Sequence, residues 1–205
     1  RYDTFNRLSS HNNGAMAASY AYNANNLRAS KTVNNTKTDF VWNGQNLAAE
    51  STGSGVNTYT YDITGIHITS QNGTVMSYIK DSHGSVIRTA DASGNAMQEA
   101  EYRADYDAFG NCYKGVRNTP FGYCGEYVDS ESGNVYLRNR YYDPALGRFI
   151  TEDPAQDGLN WYVYAGNNPV SFVDPWGLEY IVVPASEYDG SLFNPRYKYN
   201  FVEPA

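Results

Sequence analysis

Two Asp-Pro steps near the end of the chain, Asp153-Pro154 and Asp174-Pro175, carry the side chains best suited to chemistry. Two carboxyl groups forced close together cannot both ionise cheaply, so they share a proton. One then serves as general base toward a water, the other as general acid toward a carbonyl or a departing amine. The apparent pKa values of such a couple belong to the pair and not to either residue. Around the second step, a proline at the second position (Pro175) and a glycine at the fourth (Gly177) favour a tight turn that folds the chain back, with Leu178 facing the partner of Asp174. Arg148 suits a counter-charge that keeps one carboxylate ionised or polarises a carbonyl. The spacing by itself favours a second reading: Asp-Pro often opens a turn, and both aspartates would then be structural. Asp143 and Asp157 are acidic neighbours, and Asp143-Pro144 has the context of a turn.

Other chemistries find less support. His11, His67 and His83 form no pattern with one another or with cysteine, which argues against a metal site or a Ser-His-Asp triad and leaves them as surface residues. Cys112 and Cys124 are too few for a disulfide framework and wrongly spaced for zinc, so they read as two free thiols. No cofactor is expected. A formal charge of -7 with no basic run argues against nucleic acid as a partner of this segment. The longest aliphatic run, Ile181-Val182-Val183, is far short of a bilayer span. The chain opens in mid-pattern on Arg1-Tyr2-Asp3, so an export signal is expected upstream.

The elements that must position these groups are strands. Aromatic residues make up 15% of the chain, with 20 Tyr, and Tyr, Thr and Val suit a pleated surface while no long stretch repeats at 3.6 residues. A unit recurs: an aromatic, then Asp or Asn, a small or polar pair, then Gly or Asn and an aliphatic. It appears around Asp3, Asn23, Asn43, Asp62, Asp81 and Asp107, at steps of 20, 20, 19, 19 and 26. Asp or Asn caps a tight turn with its side chain, and the later Gly or Asn accepts φ > 0, so each unit reads as a β-hairpin. Asp91-Ala92-Ser93-Gly94-Asn95, inside the long step, reads as one extra turn. A single hairpin cannot hide its apolar face, so successive hairpins are expected to join edge to edge into one spiralling sheet.

These units resemble the YD repeat of Rhs proteins, teneurins and the C components of insecticidal toxin complexes, and Tyr2-Asp3-Thr4-Phe5-Asn6-Arg7-Leu8 is the most complete copy. The stretch from Phe121 through Tyr136-Leu137-Arg138-Asn139-Arg140-Tyr141-Tyr142-Asp143-Pro144 to Gly147-Arg148-Phe149 and Asp153-Pro154 resembles the Rhs repeat-associated core. Tyr164-Ala165-Gly166-Asn167-Asn168-Pro169 and Asp174-Pro175-Trp176-Gly177-Leu178 resemble the family's closing signature. The first Asp-Pro step departs from the family pattern, since Pro154 is followed by Ala155-Gln156 and not by one residue and a glycine.

The resemblance implies an all-β protein: a spiralling sheet of hairpins, part of a hollow shell, ending in a compact plug with short helical turns. It implies repeats over 1–111, the core domain over 112–178, and the start of a variable C-terminal toxin region over 179–205. It further implies an aspartyl self-protease with Asp153 and Asp174 as the catalytic pair and Arg148 assisting, cutting between Leu178 and Glu179. The implied partners are the chain's own C-terminal toxin segment, upstream Rhs repeats, a secretion-system component and an immunity protein, in a secreted or cell-surface setting. The competing expectation is a non-enzymatic surface or wall-associated protein whose repeats serve structure or carbohydrate contact.

Overall fold

The computed structural model describes residues 1–182, apart from 63–64, 72, 98–102, 115–118 and 157. Its first half is an antiparallel meander of nine strands: β1 (Ser10–Asn12), β2 (Ala17–Tyr22), β3 (Arg28–Val33), β4 (Thr36–Asn43), β5 (Asn46–Thr52), β6 (Gly55–Asp62), β7 (Gly65–Gln71), β8 (Thr74–Lys80) and β9 (Val86–Ala90). Each strand pairs with the next in sequence, as linked hairpins do.

The cause is local hydrogen bonding. In the turn at Asp3, Oδ1 accepts the N–H groups of Phe5 and Arg7, both at 2.9 Å. Asn23 does the same for Asn25 and Leu27 at 2.9 and 3.1 Å. Asp81, Asp91 and Asp107 repeat the pattern two and four residues on. The residue three positions on takes positive φ: Asn6, Asn26, Gly84, Gly94 and Gly110. Gly and Asn enter that region at least cost. The extra turn at Asp91 forms as expected. Asn43 differs, because a two-residue loop there joins the paired residues Asn43↔Asn46. Asn23→Ala strips two backbone N–H groups of their acceptor and is expected to cost about 1 kcal/mol, whereas Asn23→Asp keeps both bonds. Urea unfolding of the two variants checks this; equal stability would show a turn indifferent to its side chain.

Alternation along the strands sends one set of side chains inward. In β2, Ala18 and Tyr20 are buried between exposed neighbours, and Phe40, Leu47, Tyr59, Ile66 and Tyr78 continue the same face. Val41, Val56 and Val75 point outward and are exposed. The inner face packs against rings from the second half: Phe40 on Tyr127 at 5.6 Å between centroids, Tyr59 on Phe121 at 4.9 Å and Tyr20 on Tyr141 at 5.7 Å. Tyrosine supplies apolar area while its hydroxyl finds a partner. Tyr59 and Tyr127 both donate to the buried Glu50, at 2.6 and 2.8 Å.

The second half holds a two-stranded sheet, β10 (Asp105–Tyr106) with β11 (Cys112–Lys114), and an antiparallel four-stranded sheet of β12 (Tyr127–Val128), β13 (Val135–Leu137), β14 (Arg140–Asp143) and β15 (Arg148–Phe149). A last pair joins β16 (Phe172–Val173) to β17 (Ile181–Val182). Short 3-10 turns lie at Tyr123–Gly125 and Ala165–Asn167, which matches the expected plug with helical turns. The inner strands of the four-stranded sheet, β13 and β14, are buried on both faces. Tyr136 and Tyr141 join the core under the repeats, while Val135, Leu137 and Tyr142 join a second cluster with Phe149 and Tyr164.

A buried charge cluster locks the halves together. The Arg28 guanidinium donates to Asp129 at 2.5 Å and to the Tyr141 hydroxyl at 3.1 Å. Lys31 reaches Asp129 at 2.9 Å and Glu131 at 3.0 Å, and Tyr20 donates to Glu131. The rings of Phe40, Tyr127 and Tyr136 lie 4.5–4.9 Å from the Arg28 guanidinium carbon. Burial raises the Asp129 carboxyl, but Arg28 and Lys31 outweigh it and hold the group below its ordinary value.

His83 is not the surface residue expected. The second half covers its turn, so Nε2 donates to the Pro169 carbonyl at 2.6 Å and Nδ1 lies 3.8 Å from the Cys124 sulfur. Cys112 is exposed, Cys124 half-buried, and both are free thiols. Among the described residues no helix is long and apolar enough to cross a membrane. Asp157 and residues 183–205 lie outside the described residues, while Ile181–Val182 of the tail forms β17.

Candidate functional site

Asp174 follows β16, and β17 returns antiparallel to it with Phe172↔Val182 and Val173↔Ile181 in register. The residues between are therefore a hairpin loop, and Asp174 organises it from inside. Its Oδ1 accepts the N–H groups of Trp176, Gly177 and Leu178 at 3.3, 2.8 and 3.1 Å. This is the tight turn expected of Asp-Pro-Trp-Gly, with Gly177 at φ +68. Since the Leu178 carbonyl carbon is two bonds from its nitrogen, it lies within about 6 Å of that carboxylate oxygen. Leu178 and Glu179 are exposed on the loop.

Asp174 is buried and adjoins a cavity of about 10 Å³ walled by Val135, Leu137, Tyr164 and Val173 among others. That space is close to the minimum for one water. Burial pushes its carboxyl up; Arg140 and the three N–H donors pull it down; burial wins, and the pKa rises to about 7.

The cation facing Asp174 is Arg140, not Arg148. Arg140 Nη2 lies 3.6 Å from Asp174 Oδ2, its Nε donates to the Gly177 carbonyl at 2.6 Å, and its Nη1 donates to the Trp161 carbonyl at 2.9 Å. The guanidinium stacks on the Phe149 ring at 3.6 Å. Burial lowers the Arg140 pKa while both Asp153 and Asp174 oppose that shift, so this one group feels both carboxylates. Arg148 is exposed, and the reason is strand geometry: Phe149 beside it is buried in the plug, and successive side chains in a strand point to opposite faces.

Asp153 is buried too. Its Oδ1 accepts the Ala155 N–H at 2.9 Å, and its carbonyl accepts the Gln156 N–H at 3.0 Å. Gln156 stands where the second step has glycine and still takes φ +52. The departure from the Asp-Pro-x-Gly pattern therefore keeps the turn at the cost of a strained residue. Asp143 accepts the N–H groups of Ala145 and Leu146, as a turn-opening aspartate does.

Sequence reasoning passed over Arg138, Asn139 and Arg140. The signal was present: two arginines flanking one residue, set between Tyr136-Leu137 and Tyr141-Tyr142, place cations in a stretch that otherwise reads as buried strand. Cations are buried only when paired.

A family model described as Teneurin YD-shell matches residues 49–170. The tRNA3(Ser)-specific nuclease WapA of Bacillus spizizenii is 35% identical over 192 residues, which cover 84% of this chain and 8% of that protein. The double-stranded DNA deaminase toxin A of Burkholderia cenocepacia is 31% identical over 177 residues, 74% of this chain and 12% of that protein. A crystal structure of TcdB2-TccC3-TEV superposes with a TM-score of 0.68 at 21% identity, over 87% of this chain and 10% of that one. A Photorhabdus luminescens Tc holotoxin pore gives 0.66 at 20%, over 90% and 10%. The chain thus spans about a tenth of each of these four proteins. Side-chain-capped hairpins in linear order, a tyrosine-rich plug beneath them, and a family match over more than half the length agree: the chain belongs to the Rhs/YD-repeat shell family.

Proposed function

We propose that this segment is the self-processing end of a toxin-carrying YD shell, which hydrolyses its own Leu178–Glu179 bond and so separates the shell from a C-terminal effector. One observation carries the reading: the buried Asp174 binds the Leu178 N–H, beside an arginine that also feels Asp153. Asp153 acts as general base and takes a proton from a water whose oxygen bonds to the Leu178 carbonyl carbon. Asp174, with its pKa near 7, keeps its proton and hands it to the Glu179 nitrogen as the C–N bond breaks. The products are a Leu178 carboxylate and a Glu179 amine. Arg140 fills the role first expected of Arg148, steadying the charge that the two carboxyls exchange.

The relatives support a carrier role. Their names describe unrelated activities, a tRNA nuclease and a DNA deaminase, yet both share this segment, so the shared part serves delivery and not either reaction. The partners are the chain's own C-terminal effector, the upstream repeats, a secretion-system component and an immunity protein, and the setting is outside the producing cell. A purely adhesive or carbohydrate-binding surface protein has no need of a buried, proton-holding Asp174 at a chain corner.

Intact-mass measurement on the purified chain tests the reading. A fragment ending at Leu178 is expected from the wild type and an uncut chain from Asp153→Asn; equal processing of both removes the assignment. Because the acid must hold its proton, the cleavage rate is expected to fall about tenfold per pH unit above pH 7. A rate still climbing at pH 9 is incompatible with Asp174 as the acid.

A further inference from the structure

Leu178 is 37% exposed, so it is not seated in a closed pocket that would choose the bond to be cut. The backbone just before it is held on an unusual set of donors. Arg138 and Asn139 form the two-residue loop between β13 and β14, where Leu137↔Arg140 is the last pair. Arg138 Nη1 donates to the Pro175 carbonyl at 2.9 Å. Asn139 donates to the Trp176 carbonyl through its side-chain amide at 3.0 Å and its backbone N–H at 3.3 Å. Arg140 takes the Gly177 carbonyl. Successive residues of the hairpin tip thus grip successive carbonyls of the loop in order.

The grip is itself anchored. Arg138 is buried, ion-paired with the buried Glu126, and donates from Nε to the Gln45 carbonyl in the turn between β4 and β5. Close approach also requires the glycine: a Cβ at Gly177 would lie 2.7 Å from the Leu137 carbonyl oxygen and 3.0 Å from the Arg140 nitrogen.

Resting on the self-cleavage reading, we infer that the 138–140 hairpin tip is a register clamp: it sets which peptide bond faces the two carboxyls by fixing backbone carbonyls, so the cut falls after the first residue beyond Gly177 whatever its side chain. Arg138 and Asn139 are positioning residues in this scheme.

One Ser inserted between Gly177 and Leu178 in the full chain separates counting from side-chain recognition. The clamp requires a fragment ending at the inserted Ser; a fragment ending at Leu178 overturns it. Should the insertion block cutting, Asn139→Ala and Arg138→Lys decide. Arg138→Lys keeps a cation beside Glu126 but loses the fork that reaches three acceptors. Both variants are expected to cut at least about tenfold more slowly and at more than one bond, read by intact mass, with unfolding midpoints showing that the fold is retained. Wild-type rate at a single bond in both variants sinks the clamp. An uncut wild type would instead sink the self-cleavage reading on which it rests.

Discussion

Asp174→Asn is expected to slow self-cleavage by about 10² to 10⁴-fold and, at the same time, to gain stability relative to Asp174 as the pH rises from 4 to 7. The asparagine keeps an oxygen for the Trp176, Gly177 and Leu178 N–H groups, so the loop is retained. What it lacks is a transferable proton. The stability effect follows from linkage. Below about pH 4 the aspartate is protonated whether folded or unfolded, and its burial carries no penalty. Between pH 4 and about 7 the unfolded chain gives up the proton while the folded chain keeps it, so folding becomes harder as pH rises, and the effect levels off above 7. The change across that window is on the order of 2–4 kcal/mol, each pKa unit being worth about 1.4 kcal/mol. Part of the gain is offset because the new amide faces Arg140, donor against donor. Urea unfolding from pH 4 to 8 in an Asp153→Asn background, where the chain stays whole, measures it. A pH-independent difference would mean that Asp174 is ionised in the fold.

Asp129→Ala is expected to destabilise the fold by about 3–5 kcal/mol at pH 7. The change leaves Arg28 and Lys31 buried with Glu131 as the remaining carboxylate of the cluster. The guanidinium still meets the Tyr141 hydroxyl and the faces of aromatic rings, which soften but do not replace a carboxylate. Since the Asp129 carboxyl is held below its ordinary value, the stability it contributes is present above about pH 4 and fades as the group is protonated at lower pH. Arg28→Met added to Asp129→Ala removes the stranded charge and is expected to recover a large part of the loss, so the two changes are far from additive. Guanidinium unfolding of the single and double variants reads both effects, and a single-variant loss below about 1 kcal/mol would show that the cluster contributes little.

The chain's local order is legible in its linear sequence. Asp3, Asn23, Asp81, Asp91 and Asp107 each close a turn through bonds to N–H groups two and four residues ahead, and alternation such as Ala18, Tyr20 sets the buried face. Such features involve neighbours in the chain, so residue type and period are enough to specify them. The tight turn at Asp174 belongs to the same class.

Pairings across the molecule were beyond that reach. Arg28 and Lys31 meet Asp129 and Glu131 from about a hundred residues away, and no local pattern names the partner. The cation beside Asp174 is set in the same way: the burial of Phe149 turns Arg148 to solvent and lays Arg140 over the ring. The repeat, the turns and the strand class are consequences of short-range hydrogen bonding and alternation, and the linear order of residues dictates them. Which charges are buried together, and which carbonyls the 138–140 tip holds, depends on how two sheets stack, because a desolvated ion is tolerable only where packing delivers its counter-ion.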